Sequence, residues 1–449
     1  MSRASLSEKW TILLSLVRAR WGYRFRSRAA LIAWQNRRIA RYLRGPVSQV
    51  GYYRHRDCGV LEKLPIVDKT EMLARFPDFN ILGMTAELAL RLALKAEEGH
   101  SEQTGGVTVG LSSGTSGQRG IFLVGPGERA AWAGIVLARI LDSRALLQLL
   151  NPLAPRLRIG LILRANTSLY ATVNSARVDF QFLSIAMPFT AMASLLESCA
   201  PDVLVAPASV LRMLAEAQLA GTLEIDPRQV ISVAEVLESD DSATIKRAWH
   251  RVPSQIYQCT EGFLGYTCEG GSLHLNEEFV HVEPQWLDER RERFIPIITD
   301  FSRTTQIFAR YRLDDVLRVD HEPCPCGRVT LRLAAIEGRC DDILWLRGCR
   351  TSELQPMFPD LLRRLVATTR PEPVDYRIDQ VGDRWELRVR GSQDAAGVAL
   401  AEVLNETCRQ LGLRPPKLEI RAWVEAAPDE KRRRIRCLSR PQGSAACAS

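Results

Sequence analysis

Apolar runs alternate with helical stretches along most of this chain, and this alternation constrains the fold more than any other feature. Arg158 to Leu163 and Val203 to Ala206 are predicted strands, whereas Met192 to Ser198 and Ser209 to Ala220 have the apolar spacing of helices. Strands that alternate with helices build a sheet covered by helices. The sequence therefore predicts an α/β fold for the larger part of the chain.

The pattern changes near the C-terminus. Val374 to Arg390 predicts a hairpin around Gly382, and Gly397 to Leu411 predicts a helix, which together indicate a small α+β domain. A chain of 449 residues has room for one large and one small domain. The predicted organisation is a large N-terminal domain (1–339), a small C-terminal α+β domain (340–437) and a disordered tail (438–449).

Arginine clusters at Arg18 to Arg28, Arg37 to Arg44 and Arg432 to Arg436 account for most of the formal net charge of +8. A basic surface fits anionic partners such as nucleotide or coenzyme phosphates, and a merely solvated basic surface is the alternative. We find no nucleic-acid-binding module, so nucleic acid is not an expected partner. The charge is therefore compatible with small anionic ligands and equally with a solvated surface.

The first fifty residues have apolar side chains at helical spacing between arginines, which predicts amphipathic helices packed on the body of the protein. Contact with a membrane is the minor alternative. Arg18 and Arg20 cut short the apolar run Trp10 to Val17, which makes a poor signal peptide, and no run of about eighteen apolar residues predicts membrane insertion. With eleven cysteines in a chain of this length, a reducing cytoplasm is expected.

A loop rich in serine, threonine and glycine lies between two β-prone runs, Val107 to Leu111 and Gly120 to Val124. Glycine lets the backbone turn its N–H groups towards an anion, and hydroxyls donate further hydrogen bonds, so the loop suits a polyphosphate. It is not a Walker loop, because Gly-Lys-Ser/Thr is missing and a strand follows it. An ordinary turn is the alternative. The loop residues are Ser112, Ser113, Gly114, Thr115, Ser116 and Gly117.

This loop resembles the signature Ser-Ser/Gly-Gly-Thr-Thr/Ser-Gly of the adenylate-forming superfamily of acyl- and aryl-CoA ligases. Further segments similar to superfamily motifs follow in the family order, from residue 60 to residue 437. The chain looks most like the branch of phenylacetate–coenzyme A ligase, the capsule-locus adenylating proteins and the deazaflavin-cofactor adenylating synthetases. The resemblance implies a large domain with a small mobile C-terminal domain, and it implies ATP and Mg²⁺ as ligands.

Ile256 to Gly262 is similar to the superfamily motif Tyr-Gly-x-Thr-Glu. The resemblance implies that Tyr257 stacks near adenine, that Thr260 contacts the α-phosphate and that Glu261 helps to hold Mg²⁺. A hard carboxylate oxygen suits this ion, which neutralises charge on phosphates. Strand ends without a functional role are the alternative interpretation.

Two more segments resemble nucleotide-binding motifs. Ala234 and Glu235 look like part of the short adenine-contacting segment, and Arg310 to Asp315 is similar to Tyr-Arg-x-x-Asp. The last Asp of that motif binds both ribose hydroxyls, which implies this role for Asp315. A carboxylate accepts two hydrogen bonds from a vicinal diol. The neighbouring Asp314 leaves the register open.

Ile336 to Leu344 is similar to the hinge motif Gly-Arg-x-Asp-Asp. The resemblance implies that Arg339 faces the nucleotide and that Asp341 is the pivot of a domain rotation between two half-reactions. A lysine near the C-terminus of family members reaches the acyl carboxylate and the α-phosphate, and Lys431 is the candidate, although the usual preceding glycine is missing. A solvated basic run is the alternative for Lys431.

Three thiols and one imidazole make a closed tetrahedral donor set, which is typical of structural Zn²⁺. The branch named above commonly carries a similar Cys-x-x-x-x-x-His with a later Cys-x-Cys-Gly-Arg. Buried thiols with a surface histidine are the alternative, and His281 or His321 could stand in for the histidine. The expected ligands are Cys268, His274, Cys324 and Cys326.

Arg164 to Tyr170 and Phe180 to Pro188 are expected to line the pocket for the acid. Asn166, Ser168 and Tyr170 offer polar groups among apolar neighbours, which suits a hydroxylated or amino-substituted aryl acid. A packed core strand would have a similar sequence.

The resemblance implies that a small-molecule carboxylic acid is activated as acyl-AMP with loss of pyrophosphate. A thiol of coenzyme A, or of phosphopantetheine on a separate acyl carrier protein, would then take the acyl group. Amide formation, nucleotidyl transfer, or nucleotide binding without catalysis are the alternatives. The residues expected to act in catalysis are Lys431, Glu261, Thr260 and Arg339.

Overall fold

The chain forms two compact units. One consists of Met1–Leu313 with Arg318–Ala335, and the other of Asp314–Leu317 with Ile336–Ser449. The chain thus enters the smaller unit at residue 336, a few residues before the expected boundary at 339. The structure is a computed structural model that describes residues 6–97, 106–111, 119–163, 175–351, 353–369, 375–390, 393–425 and 433–441.

Nine helices of the described residues belong to the larger unit and two to the smaller one, and none of them is long and apolar enough to cross a membrane. They are α1 (Leu6–Val17), α2 (Arg28–Tyr42), α3 (Lys69–Ala74), α4 (Ala86–Glu97), α5 (Pro126–Ile140), α6 (Ser143–Leu150), α7 (Phe189–Cys199), α8 (Ala208–Leu219), α9 (Ser239–Trp249), α10 (Pro359–Thr369) and α11 (Gln393–Gln410).

The strands of the described residues include all the predicted ones. They are β1 (Thr108–Leu111), β2 (Ile121–Val124), β3 (Leu157–Leu163), β4 (Val178–Ser184), β5 (Val203–Ala206), β6 (Gln229–Val233), β7 (Ser254–Gln258), β8 (Phe263–Thr267), β9 (Leu273–Leu275), β10 (Val280–Trp286), β11 (Arg293–Asp300), β12 (Tyr311–Arg312), β13 (Asp315–Val319), β14 (Arg332–Arg339), β15 (Leu344–Arg347), β16 (Leu354–Met357), β17 (Tyr376–Val381), β18 (Arg384–Val389), β19 (Lys417–Arg421) and β20 (Ile435–Ser439).

Twelve strands form one large mixed sheet in the order β10-β11-β13-β14-β9-β8-β7-β6-β5-β3-β4, with β12 paired to β11. Strands β4, β3, β5, β6 and β7 are parallel, and α7, α8 and α9 connect successive members of this group. Helices that cross between parallel strands cover both faces of a sheet, so the central strands β3 and β5 are nearly continuous apolar runs. Val203–Ala206 is buried at every position.

The parallel strands place their carboxyl ends at one edge of the sheet. The order reverses between β3 and β5, since β4 lies on the outer side of β3 while β5 and β6 continue in the opposite direction. In open α/β sheets, ligands bind outside the carboxyl ends of strands at such a switch point. The topology therefore identifies the loops after β3, β5, β6 and β7 as the first place to look for a site.

The smaller unit contains the predicted hairpin and helix. Strands β17 and β18 pair around Gly382, whose φ of +62° suits a residue without a side chain, and α11 packs on this sheet. The strand order is β19-β18-β17-β20. Because β20 continues to Ser439, the chain is paired in a sheet beyond residue 437, where a disordered tail was expected. Residues 442–449 lie outside the described part of the chain.

The N-terminal helix α1 packs against helix α5 at Gly134. A Cβ atom built on Gly134 would lie 2.9 Å from the backbone nitrogen of Leu16, closer than ordinary packing allows. Leu16 itself is buried against α5, with Ala133 and Leu137 in the same apolar cluster. The absence of a side chain at residue 134 therefore lets the two helix backbones approach.

Gly134→Ala is expected to destabilise the protein by about 2 kcal/mol, although alanine favours helix formation, because the added methyl group would push α1 away. The matched control is Gly127→Ala at the start of the same helix, where nothing lies within 4 Å of the added carbon. Urea unfolding followed by circular dichroism measures both variants. Equal or higher stability of Gly134→Ala would contradict the close approach of α1 and α5.

Candidate functional site

The predicted nucleotide-binding residues of the larger unit lie at the carboxyl edge of the parallel strands. Ala234 and Glu235 directly follow β6, and Thr260 and Glu261 follow β7. Strands β6 and β7 are neighbours in parallel register, with Val233 opposite Ile256. Two segments that the sequence places 25 residues apart therefore emerge side by side.

The backbone turns sharply at Ala234. Its φ of +67° lies in the left-handed region, which alanine rarely adopts, and the residue is exposed. Such conformations cost on the order of 1 kcal/mol and concentrate at ligand-binding sites. Glu235 points elsewhere, because its Oε2 accepts a hydrogen bond of 2.9 Å from the N–H of Ser209 at the start of α8. Glu235 thus caps a helix, and its carboxylate is engaged there.

The loop between β7 and β8 carries Thr260 and Glu261, both partly exposed. The hydroxyl of Thr260 donates to Oε2 of Glu261 at 2.8 Å, so a hydroxyl and a carboxylate lie together at the sheet edge. Tyr257, at the end of β7, is only 6% exposed. Of the three residues predicted from this motif, Thr260 and Glu261 have partly exposed polar side chains, whereas Tyr257 is buried.

Arg303 was not predicted, yet it joins this loop to the glycine-rich hairpin. Its Nη1 donates to the carbonyl oxygen of Thr260 at 3.4 Å, and its Nη2 donates to the carbonyl oxygen of Leu123 in β2 at 2.8 Å. The side chain is buried and lies over the ring of Phe308. One guanidinium therefore ties a loop at residue 260 to a hairpin at residue 123.

The hairpin of β1 and β2 is held from the same segment by Gln306. The amide oxygen of Gln306 accepts from the N–H of Leu123 at 2.8 Å, and its amide nitrogen donates to the carbonyl oxygen of Ile121 at 3.3 Å. The prediction that two strands flank the Ser/Thr/Gly loop is confirmed. The loop residues Ser112, Ser113, Gly114, Thr115, Ser116 and Gly117 lie outside the described residues.

Two carboxylates accompany Arg303. Asp300 is fully buried, and this burial raises its pKa to about 6 although Arg303 and the Ser302 hydrogen bonds act in the opposite direction. Burial would also raise the pKa of Glu128, but Arg303 and hydrogen bonds from Thr304 and Thr305 outweigh it and lower that pKa. The cluster thus contains one firmly ionised acid and one that titrates near neutrality.

Asp300 also explains a glycine in the predicted metal-binding motif. A Cβ atom on Gly262 would lie 2.7 Å from Oδ2 of Asp300, so this residue must be glycine for the loop to pass over the buried acid. The sequence carried a weak signal for Asp300, because this acid ends the apolar strand β11 and Ser302 stands two residues later. A single sequence gave no reason to link that acid to residue 262.

The smaller unit brings Asp315 and Arg339 together. Nε of Arg339 lies 3.8 Å from Oδ1 of Asp315, and both side chains are partly exposed. The carbonyl oxygen of Asp314 accepts from the N–H of Cys340 at 2.6 Å. The Asp315 carboxylate thus lies beside the Arg339 guanidinium, and the Asp314 backbone is bonded to the turn that follows Arg339.

The predicted hinge segment is a tight turn over Cys340–Asp342 that follows β14. Asp342 accepts a hydrogen bond of 2.7 Å from the N–H of Arg339 and a further one from Arg433, whose Nη1 lies 2.9 Å from Oδ2 of Asp341. Burial raises the pKa of Asp342 although Arg433 opposes this. Arg433 directly follows the segment with Lys431, which itself lies outside the described residues.

The four predicted metal ligands lie together. All four donor atoms are within 4.8 Å of one another. Sγ of Cys268 is 3.6 Å from Sγ of Cys324, and Sγ of Cys326 is 3.6 Å from Nε2 of His274. A tetrahedral zinc centre requires edges of about 3.8 Å between sulfurs and about 3.5 Å between sulfur and nitrogen. The spacing therefore fits a closed zinc site.

His274 is held in the orientation that such a site needs. Its Nδ1 lies 3.1 Å from both the carbonyl oxygen and the hydroxyl of Thr330, which leaves Nε2 facing the thiols. His281 contacts Gln35 instead. Burial would raise the pKa of Cys324, but the N–H of Cys326 and the His274 ring outweigh it and lower the pKa to about 6. The histidine in the cluster is thus the predicted one.

The expected acid pocket is described only in part. Residues 164–174, which include Asn166, Ser168 and Tyr170, lie outside the described residues. The second expected segment begins in β4, the outermost strand of the parallel group.

Comparisons with protein-family models and with curated proteins give no match. Among solved structures, 2-hydroxyisobutyryl-CoA ligase in the postadenylation state with 2-HIB-AMP is similar to this chain with a TM-score of 0.60 and 18% identity, over 91% of this chain and 88% of that chain. The same enzyme in an open conformation with 2-HIB-AMP and CoA gives 0.53 and 17%, over 92% and 91%. The predicted fold class and the resemblance in fold are therefore confirmed.

Asp300 predicts a dependence of stability on pH. Its folded pKa of about 6 lies above the usual aspartate value of 3.8, so between these values the folded state keeps a proton that the unfolded state has lost. Stability therefore falls as pH rises through this window. Asp300→Asn removes the charge and keeps the oxygen that accepts from Ser302. The free energy of unfolding of the variant minus that of wild type should therefore be about 2–3 kcal/mol higher at pH 7 than at pH 4.

Urea unfolding at both pH values measures this difference, with Asp226→Asn at an exposed position as the control. A difference between Asp300→Asn and wild type that stays constant with pH would show that Asp300 keeps an ordinary pKa.

Proposed function

We propose that this chain, which has the fold of the adenylate-forming enzymes, uses ATP to activate a carboxylic acid as acyl-AMP and then transfers the acyl group to a thiol. The observation that carries the proposal is the grouping of Thr260, Glu261 and Arg303 with the glycine-rich hairpin at the carboxyl edge of the sheet. This grouping provides a hydroxyl, a carboxylate and a backbone loop, which suit a nucleoside triphosphate and its metal ion.

In the first half-reaction a carboxylate oxygen of the acid attacks the α-phosphorus of ATP, and the bond to pyrophosphate breaks. We assign to the Thr260 hydroxyl a hydrogen bond to an α-phosphate oxygen, in exchange for the one that it donates to Glu261, and to Glu261 the binding of Mg²⁺, which neutralises charge on the phosphates. We assign the phosphates to the loop Ser112–Gly117 and the stabilisation of the transition state to Lys431. These assignments rest on the motifs described above.

We assign Asp315 to the binding of the ribose hydroxyls. We assign Arg339 to a contact with the nucleotide. Their proximity in the smaller unit supports the register in which Asp315, rather than Asp314, is the functional acid. Ala234 and the backbone of Glu235 are assigned to adenine, because the Glu235 carboxylate is bonded to Ser209. The pivot is assigned to Asp341 in the turn that Arg433 holds.

The thiol acceptor is coenzyme A or the phosphopantetheine of a separate carrier protein. The similarity in fold to a CoA ligase with bound acyl-AMP and CoA supports a thiol over an amine. We propose an aryl acid with hydroxyl or amino substituents as the substrate class, on the polar residues Asn166, Ser168 and Tyr170.

We further propose that Cys268, His274, Cys324 and Cys326 hold one structural Zn²⁺. The distances within the cluster and the fixed orientation of His274 support this. Three thiols and an imidazole leave no open position for substrate, so the ion would have a structural role. Thiols in this state require a reducing compartment such as the cytoplasm.

A panel of aryl and aliphatic acids, each with ATP and Mg²⁺, tests the activity through acid-dependent release of pyrophosphate. Aryl acids should give the highest release, and added coenzyme A should convert the acyl-AMP to a thioester. Glu261→Gln should reduce acyl-AMP formation by at least about 100-fold, because the metal loses a charged ligand. Glu289→Gln, at an exposed position, is the control. Nucleotide binding without pyrophosphate release from any acid would contradict the proposal.

Protein purified without chelators should contain about one zinc ion per chain, and Cys324→Ser with Cys326→Ser should remove it. Elemental analysis gives the metal content, and thermal unfolding gives the expected loss of stability. The control is Cys349→Ser, since this exposed cysteine lies outside the cluster. Well-folded wild-type protein without zinc would rule out the site.

A further inference from the structure

Helix α1 and the turn after it present a continuous apolar stripe to solvent. Six side chains at helical spacing share one face, about 100° wide, because residues three or four apart lie above one another on a helix. Large exposed apolar patches on a folded chain mark interaction surfaces. The stripe consists of Leu6 (73% exposed), Trp10 (57%), Leu13 (40%), Leu14 (49%), Val17 (42%) and Trp21 (45%).

The opposite side of the helix is already engaged. Leu16 and Ala19 are buried, Ile12 packs against the same apolar cluster, and Gly134 of α5 lies against the α1 backbone. The stripe is therefore a second apolar face, distinct from the one that attaches α1 to the larger unit. Nothing in the described part of the chain covers it, since its residues remain between 40% and 73% exposed.

The positive charge of the protein is concentrated in the N-terminal segment that carries this stripe. Residues 1–44 contain eleven Lys or Arg and one acid, Glu8, so their formal charge is +10, whereas the rest of the chain carries −2. Oε1 of Glu8 lies 3.2 Å from Nη2 of Arg129 in α5, which neutralises it. Eight of the basic side chains are exposed: Lys9, Arg18, Arg24, Arg26, Arg28, Arg37, Arg41 and Arg44.

We propose that this N-terminal surface docks on an anionic lipid membrane, with α1 lying in the plane of the interface. An exposed apolar face with tryptophans, flanked by Lys9 and Arg18, is the composition of a helix that inserts its apolar side shallowly among headgroups. The exposed arginines of residues 18–44 attract the negative lipid surface. This docking is separate from the activity proposed above and needs no membrane-spanning segment.

A second copy of the chain is a poorer occupant of the same surface. Two stripes placed face to face would bring two surfaces of formal charge +10 together, and like charges at an interface oppose association. An anionic membrane offers an apolar interior for the stripe and a negative surface for the basic side chains. The charge distribution therefore favours lipid.

Sedimentation of the full chain with vesicles tests this proposal. Binding to phosphatidylcholine vesicles that contain about one-third phosphatidylglycerol should be at least about tenfold tighter than to phosphatidylcholine alone. It should weaken as salt is raised from about 50 mM to about 500 mM, because salt screens exposed charges. Brominated lipids should quench the fluorescence of Trp10 and Trp21.

Trp10→Asp with Leu14→Asp should lower vesicle binding by about tenfold or more. The control is Leu147→Asp with Leu153→Asp, which places the same two charges on the 68% exposed Leu147 and the 93% exposed Leu153 and should leave binding unchanged. All four sites are exposed, and circular dichroism checks that both variants fold.

Three outcomes would overturn the proposal. Wild-type protein would remain in the supernatant with anionic vesicles, or the double variant would sediment as wild type does. In the third, lipid-free protein would be a dimer that the double variant dissociates, which would identify a second copy of the chain as the occupant.

Discussion

The candidate site of the larger unit depends on the buried guanidinium of Arg303. It bonds the carbonyl oxygens of Leu123 and Thr260, so it fixes the glycine-rich hairpin relative to the loop after β7. A buried cation needs compensating charge, and Glu128 and Asp300 supply it. Since Arg303 makes both loop contacts and is the cation that the two acids share, its loss would release the hairpin and the loop after β7 and leave Glu128 without a counter-charge.

The sequence predicted the parts of the fold that local pattern determines. Strands β3 and β5 and helices α7 and α8 follow from apolar periodicity, and the hairpin around Gly382 follows from alternation with a turn residue. The end of β20 was missed, because Cys437 and Ser439 are placed by pairing with β17, and nothing local in a short polar segment indicates such pairing. The pairing of strands that are far apart in the chain leaves no pattern in the local sequence.

The same distinction applies to the candidate site. Motif residues that follow strand ends, such as Thr260 and Glu261, could be predicted, because parallel strands bring their carboxyl ends to one edge. Arg303, Gln306 and Asp300 could not, since their partners lie up to 183 residues away along the chain. His274 was the expected ligand because of the resemblance to Cys-x-x-x-x-x-His, with His281 and His321 as alternatives, and the hydrogen bond to Thr330 orients the His274 ring towards the thiols.

The position of β14 in the large sheet has a consequence for synthesis of the protein. This strand, Arg332–Arg339, is the last of the twelve in the chain, yet it lies between β13 and β9 and joins the two parts of the sheet. On the ribosome, both parts must therefore wait with open edges until some 340 residues have been translated. Such edges recruit other strands, so slow elongation before residue 332 should favour aggregation. Yield in a cell would then depend on chaperones that shield β9 and β13 during this interval.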